Sequence, residues 1–302
     1  MSFTFSCNIP FLEIIFFTNC SVSSETAALS AKTPAPKSMI VPKANNTENL
    51  FILYSTYAKG LFKDYFYIVL LAKMVMKKVV VISLGGSLII PDKINYFYLK
   101  EFKRVILKNM KDYEFVIVCG GGSLARKYID AIEKENGNVY YQSLAGISAT
   151  RVNARFLSYF FGFDPKWGIP HNMSILKKYL RKRGIVICGG LEYEPDQTSD
   201  STSADIASKL KADFVNLTDV LGLYTKNPKS FKDAKFISEI SWEKFKKRAE
   251  KLRFKPGQHF VLDQNASKII MEKKIKTYIM ESPRELDNLL KNKKFKGTTI
   301  FG

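Results

Sequence analysis

The stretch Val79-Val80-Val81-Ile82-Ser83-Leu84-Gly85-Gly86-Ser87 is an apolar run of strand length closed by a glycine turn. The same arrangement recurs where Phe115 to Cys119 meets Gly120-Gly121-Gly122, and where Ile185 to Cys188 meets Gly189-Gly190. Short apolar runs rich in β-branched residues, without polar alternation, belong to strands covered on both faces, the condition of a parallel sheet. Glycine directly after such a strand lets bare backbone N–H groups approach anionic oxygens, so the repeat predicts three phosphate-holding turns.

Working outward, amphipathic helices fall between the runs: Tyr96 to Asn109, the second glycine loop to about Lys134, about Leu144 to Phe161, and Ile175 to Lys182. A polar loop, Gly189 to Ser199, leads to a helix from Asp200 to Leu210 and a strand from Phe214 to Leu217. The alternation continues through helices Trp242 to Lys251 and Asp263 to Lys273, strand Lys276 to Met280, helix Pro283 to Leu290 and strand Gly297 to Ile300. This order predicts an α/β fold, a three-layer αβα sandwich with a mainly parallel central sheet.

Residues 1–75 read differently. They hold an apolar patch at Phe11 to Phe17, a Ser-rich stretch, a Pro-containing run from Thr33 to Asn46, and an aromatic segment broken by Lys59, Lys63 and Asp64. No basic segment precedes the first patch, as a secretory signal would require. The charges interrupt the second before it reaches the roughly twenty apolar residues of a membrane span. Met74 and Met76 stand just before the first strand, so residues 1–75 are expected to be an unfolded extension or a misplaced start, and 76–302 the folded domain.

Composition narrows the chemistry. With 302 residues, 46% of them apolar, the chain can bury a full core. Cys7, Cys20, Cys119 and Cys188 show no CxxC spacing, which points to a reduced, cytoplasmic protein. His171 and His259 are the only histidines, too few for a His-based zinc site and poor material for a Ser-His-Asp triad. The net charge of +19 is carried by lysines along helices without interleaved aromatic readout motifs, so neither a nucleic acid nor a membrane is expected as partner.

Gly120 to Ala125 satisfies the G-x-G-x-x-A dinucleotide pattern, but positions 136–150 contain no Asp or Glu to take a ribose. No G-x-x-x-x-G-K-S/T occurs either. Arg126 lies one helical turn past Gly122, where a guanidinium can reach back over the loop to a phosphate. Thr198-Ser199-Asp200 opens another helix with hydroxyls and free N–H groups, a pattern that an ordinary N-cap also satisfies.

Six blocks then stand in order: Ser83 to Ser87, Gly120 to Ile129, Thr198 to Asp200, Leu217 to Tyr224, Asp263 to Lys268, and Gly297 to Ile300. Over Lys77 to Ile300 the chain resembles the amino acid kinase family, and within it the archaeal-type uridylate kinases, which move the ATP γ-phosphoryl group to UMP. The resemblance implies ATP contacts at Gly85, Gly86, Ser87, Gly122, Arg126, Thr218, Asp219, Tyr224 and Asn227. It implies UMP contacts at Gly121, Ser143, Gln197, Thr198 and Ser199, with Arg126 and Asp200 next to the reacting groups. Ser143 replaces an Asp that commonly holds the acceptor ribose, and Leu221 and Asn227 replace aspartates of the adenosine block. The acidic loop at Glu192, Glu194 and Asp196 suits an anionic ligand only with its side chains turned outward or meeting magnesium. The resemblance also implies Mg²⁺, with unassigned ligands, and a hexamer built from dimers whose surface includes Arg151, Asn153 and Phe156.

Overall fold

The computed structural model describes residues 3–4, 15–16, 77–195, 197–226, 228, 230–251 and 262–302. The chain divides into two units, Met1–Lys77 and Lys78–Gly302. In the first, the description is confined to an antiparallel pairing of Phe3–Thr4 with Ile15–Phe16, so the expectation for residues 1–75 otherwise lies outside the described residues.

The second unit is the αβα sandwich. Its elements are β1 (Lys78–Leu84), α1 (Gly86–Ile89), α2 (Tyr96–Asn109), β2 (Tyr113–Cys119), α3 (Gly122–Asn136), α4 (Val139–Phe160), α5 (Met173–Arg183), β3 (Ile185–Cys188), α6 (Ser199–Leu210) and β4 (Asp213–Leu217). They continue with β5 (Leu223–Tyr224), β6 (Phe236–Ile237), β7 (Glu239–Ile240), α7 (Trp242–Lys251), α8 (Gln264–Glu272), β8 (Thr277–Met280), α9 (Pro283–Leu290) and β9 (Thr298–Ile300).

Seven strands form one sheet in the order β3-β2-β1-β4-β8-β9-β7. The first five are mutually parallel, and β9 turns antiparallel to β8 with β7 beside it. The strand runs are buried throughout their inner portions, from Val81, Ile82 and Leu84 to Phe115, Val116 and Ile117. Each such side chain withdrawn from water contributes about 1.5–3 kcal/mol. Helix α2 buries Leu99, Phe102, Val105 and Ile106, the spacing of a single helical face.

Topology sets where function can sit. From β1 the chain steps outward to β2 and β3, then crosses back over the sheet by α6 to β4 on the other side of β1. Right-handed crossovers in opposite directions place α2 and α6 on opposite faces. The reversal between β1 and β4 opens a crevice at the carboxyl ends of those strands, where open α/β sheets bind ligands.

Candidate active site

Both first glycine loops stand at that crevice, and their backbones touch. The Gly85 N–H donates to Leu217 O at 3.0 Å and the Gly120 N–H to Leu84 O at 2.9 Å, tying the three strand ends together. A Cβ on Gly86 would lie 2.1 Å from Gly122 N, and one on Gly120 only 2.6 Å from Gly86 N. Gly122 adopts φ +60°, the left-handed region that glycine tolerates. Gly86 and Ser87 open α1 while Gly122 and Ser123 open α3, so the amides of two helix starts, which lack intrahelical acceptors, share one small space.

The third glycine pair serves a different purpose, which corrects the expectation of a third phosphate-holding turn. The Gly190 N–H donates to Thr150 Oγ1 at 2.8 Å, and Gly190 O accepts from Arg151 Nε at 3.0 Å. Arg151 also donates to Leu191 O, and a Cβ on Gly189 would lie 2.6 Å from Arg151 N. Gly189 and Gly190 let α4 cross close to β3. Asn153, on the same helix, is buried and donates to Gly120 O at 2.8 Å and Gly121 O at 3.3 Å. Arg151 and Asn153 therefore brace the glycine loops from within. The outward stripe of α4 carries Val152, 52% exposed, and Tyr159, 50% exposed.

Asp200 is the carboxylate brought to the loops. Ser83 Oγ, at the end of β1, donates to Asp200 Oδ1 at 2.8 Å. Burial and the neighbouring Asp263 charge push the Asp200 carboxyl up to about 7, against the lowering effect of the Ser83 bond. Thr198 caps α6: its Oγ1 accepts from the N–H groups of Asp200 at 3.2 Å and Ser201 at 3.3 Å, while Ser201 Oγ accepts from Thr198 N at 2.7 Å. Thr198 Oγ1 in turn donates to Asp263 Oδ2. Ser199 and Gln197 flank this cap, with Gln197 N donating to Glu194 O at 3.3 Å.

Arg126 extends from the first turns of α3 and is exposed, and its guanidinium makes no hydrogen bond or ion pair among the described residues. Thr218 and Asp219 follow β4 at the same end of the sheet, where Thr218 N donates to Met280 O at 3.0 Å. Tyr224 lies in the β5–β6 hairpin, edge-on to Phe236 at 5.4 Å. That hairpin is held by Arg248, which donates to Tyr224 O at 3.1 Å and Thr225 O at 3.0 Å, and by Thr298, which accepts from Leu223 N at 2.7 Å. Asn227 and Asp196 lie outside the described residues.

Ser143 spends its hydroxyl proton on Val139 O at 2.9 Å, inside its own helix. Glu192 and Glu194 are exposed, turned outward as an anionic ligand would require. Burial pushes the Cys188 thiol up to about 12 and the Cys119 thiol well above its usual range, so neither serves as a nucleophile near neutrality. Among the described residues, no group of three or more His, Cys, Asp or Glu could hold a metal ion, and no helix is long and apolar enough to cross a membrane.

Comparison with known proteins identifies the family and the fold. The amino acid kinase family profile matches residues 78–281. Uridylate kinase of Thermococcus sibiricus is 33% identical over 227 residues, covering 73% of this chain and 98% of that protein. Uridylate kinase of Pyrococcus abyssi is 31% identical over 224 residues, with the same two coverages. The crystal structure of uridylate kinase from Archaeoglobus fulgidus superposes with a TM-score of 0.65 at 31% identity, covering 74% of this chain and all of that one. An isopentenyl phosphate kinase structure, at 19% identity and a TM-score of 0.53, shares the fold.

Proposed function

The chain belongs to the amino acid kinase family, and from that premise we propose that it is a UMP kinase, converting ATP and UMP to ADP and UDP. The observation that carries the reading is the backbone contact of the Gly85-Gly86 and Gly121-Gly122 loops, which aims two sets of helix-start amides at one point. Phosphoryl transfer between nucleotides asks for this. Donor and acceptor phosphates repel one another, and the acceptor oxygen is already an anion at neutral pH, so alignment and charge neutralisation replace a general base.

In this reading Gly86, Ser87 and Gly122 hold the phosphates of ATP, and Gly121 faces the acceptor phosphate. The free guanidinium of Arg126 closes over both. Each well-aimed donor to the developing charge contributes on the order of 3 kcal/mol. Thr218, Asp219 and Tyr224 border the adenosine, with Arg248 and Thr298 fixing their hairpin. Gln197, Thr198 and Ser199 line the acceptor side. Asp200, through Ser83, ties α6 to the end of β1 beside the reacting groups.

Magnesium enters as part of the MgATP substrate. Its preference for phosphate oxygens and water suits a site whose described side chains form no metal cage. The buried thiols favour a reducing, cytoplasmic setting. Exposed Val152 and Tyr159 on α4 offer apolar surface for the pairing of two chains, and the proposed hexamer of such pairs is measured directly by sedimentation.

The test is release of ADP by the full chain with UMP, CMP and isopentenyl phosphate as separate acceptors. UMP should support turnover far above the other two. Equal or greater turnover with isopentenyl phosphate, or none with any acceptor, would remove the assignment.

A further inference from the structure

Asp263 stands at the start of α8, and each of its carboxylate oxygens serves a different helix. Oδ1 accepts from Ala266 N at 2.7 Å, the ordinary work of an N-cap. Oδ2 accepts from Thr198 Oγ1, the capping hydroxyl of α6, which lies 65 residues away in sequence. Neither cap needs the other. The Thr198 and Ser201 box already satisfies the first N–H groups of α6, and a hydroxyl proton there would ordinarily go to water. Giving it to a carboxylate makes a charge-assisted bond that joins two helix starts at the catalytic end of the sheet.

This arrangement carries a cost that an N-cap alone would avoid. The Asp263 charge acts on Asp200, and like charges in a partly desolvated place oppose one another. The groups acting on Asp200 are Asp263 at the start of α8 and Ser83 on β1, with no lysine or arginine among them in the described residues. A carboxyl perturbed by burial and a like charge at the mouth of a crevice marks a functional-site candidate.

We propose that Asp263 is a positioning residue for the transfer: by holding Thr198 Oγ1 it fixes the first turn of α6, so that Asp200 meets Ser83 beside the phosphate loops. The role rests on the UMP kinase reading for its effect on turnover, but the linkage between Asp263 and Asp200 does not. Asp263 touches neither nucleotide in this account. It acts through Thr198 and, by its charge, through the protonation of Asp200.

Asp263→Asn tests both parts. The amide oxygen still caps α8, while the amide N–H group faces a hydroxyl that needs an acceptor. We expect kcat with MgATP and UMP to fall about tenfold, with the KM for UMP changed less than about twofold. The limb of the kcat profile that follows Asp200 should move to lower pH by about half a unit or more, because removing the Asp263 charge lets Asp200 ionise more easily. Thr198→Val should lower kcat to a similar degree without moving that limb, and the double variant should be no slower than Asp263→Asn. A variant with a lower Tm but unchanged kcat and pH profile would show a purely structural cap and overturn the proposal.

A second readout survives failure of the UMP kinase reading. In the wild-type chain the Asp200 contribution to Tm, read as the difference from Asp200→Asn, should fall as pH rises from 3.8 towards about 7, because folded Asp200 keeps its proton there. In Asp263→Asn that fall should end at lower pH. An unchanged Tm profile overturns the linkage, whereas absence of UMP-dependent ADP release in the wild-type chain overturns the assigned activity alone.

Discussion

The two ends of the central sheet carry the same helices by opposite termini, and they are built from different residues. At the carboxyl end stand glycines whose backbones touch, hydroxyls at Ser83 and Thr198, and an acid, Asp200, pushed up to about 7. At the amino end the helices finish in cations: Lys108 on α2, Arg181, Lys182 and Arg183 on α5, and Lys209 on α6. Gly184 closes α5 there in the left-handed conformation. Helix dipoles account for the division, since N-termini attract anions and C-termini attract lysines. Part of the net charge of +19 is therefore helix-end complement, while the end with the glycine loops offers backbone amides and the exposed Arg126.

The sharpest way to break this contrast is to make one substitution at both ends. Gly86→Ala puts a Cβ 2.1 Å from Gly122 N, so the two phosphate loops must part, and turnover should fall by about a hundredfold or more. Gly184→Ala meets nothing nearer than 3.9 Å, but its φ of +66° is strained for a side chain. It should cost about 1–2 kcal/mol of stability and leave kcat per folded molecule unchanged. Steady-state kinetics beside denaturant unfolding separates the two outcomes. Equal losses of turnover would mean that the ends are not functionally distinct.

Cations give the next comparison. Arg126→Ala should lower turnover at least about tenfold without unfolding the chain, as expected for a donor to transition-state charge. Lys209 makes only an exposed pair with Asp205 at 2.7 Å, so Lys209→Ala should stay within about twofold of wild type. Near-normal turnover of the Arg126 variant would remove that residue from the mechanism.

Legibility in the sequence follows the same division. The strands were readable because β-branched runs buried on both faces leave few alternatives, and α2 matches its expected Tyr96 to Asn109 span because its apolar face is regular. Helix α4 starts at Val139 rather than Leu144, because Asn138 accepts from Tyr140 N and Tyr141 N, a cap hidden in a polar stretch. The third glycine pair was misassigned because glycine after a strand serves a ligand or a crossing helix equally well. Only Thr150 and Arg151, far upstream, decide which. Ser83, Arg248 and Thr298 escaped as site residues for the same reason, since their partners are brought close only by folding. Asp263 was legible only as the start of a helix, because the acceptors and donors that its two oxygens serve are fixed by folding.

The acids at the two ends should answer pH in opposite senses. Asp200 holds its proton more tightly in the folded chain than the ordinary 3.8, so stability falls as pH rises from 3.8 towards about 7 and the penalty then stays constant. Asp200→Asn removes that penalty. It should raise Tm at pH 8 while turnover drops, and the gain should vanish near pH 4. A variant less stable than wild type at pH 8 would show that ionised Asp200 is stabilised by its surroundings.

At the amino end the sign reverses and the magnitude shrinks. Burial alone would raise the Asp287 carboxyl, but bonds from Lys291 at 2.7 Å, Asn109 at 2.9 Å and Lys108 at 3.2 Å outweigh it and hold the group at about 2. Its stabilisation is fully present above 3.8 and is lost as pH falls through about 2. Because both lysines reach solvent, the charge itself is worth only about 0.5 kcal/mol, which salt should screen. Asp287→Asn keeps an acceptor for Asn109 and should lose only that increment, with kcat unchanged. Asp287→Ala also leaves the buried Asn109 amide with one partner fewer and should cost about 1 kcal/mol more. If the two variants proved equally stable at pH 7, the lysines rather than Asn109 would be what Asp287 serves, and the amino end would be held by charge alone.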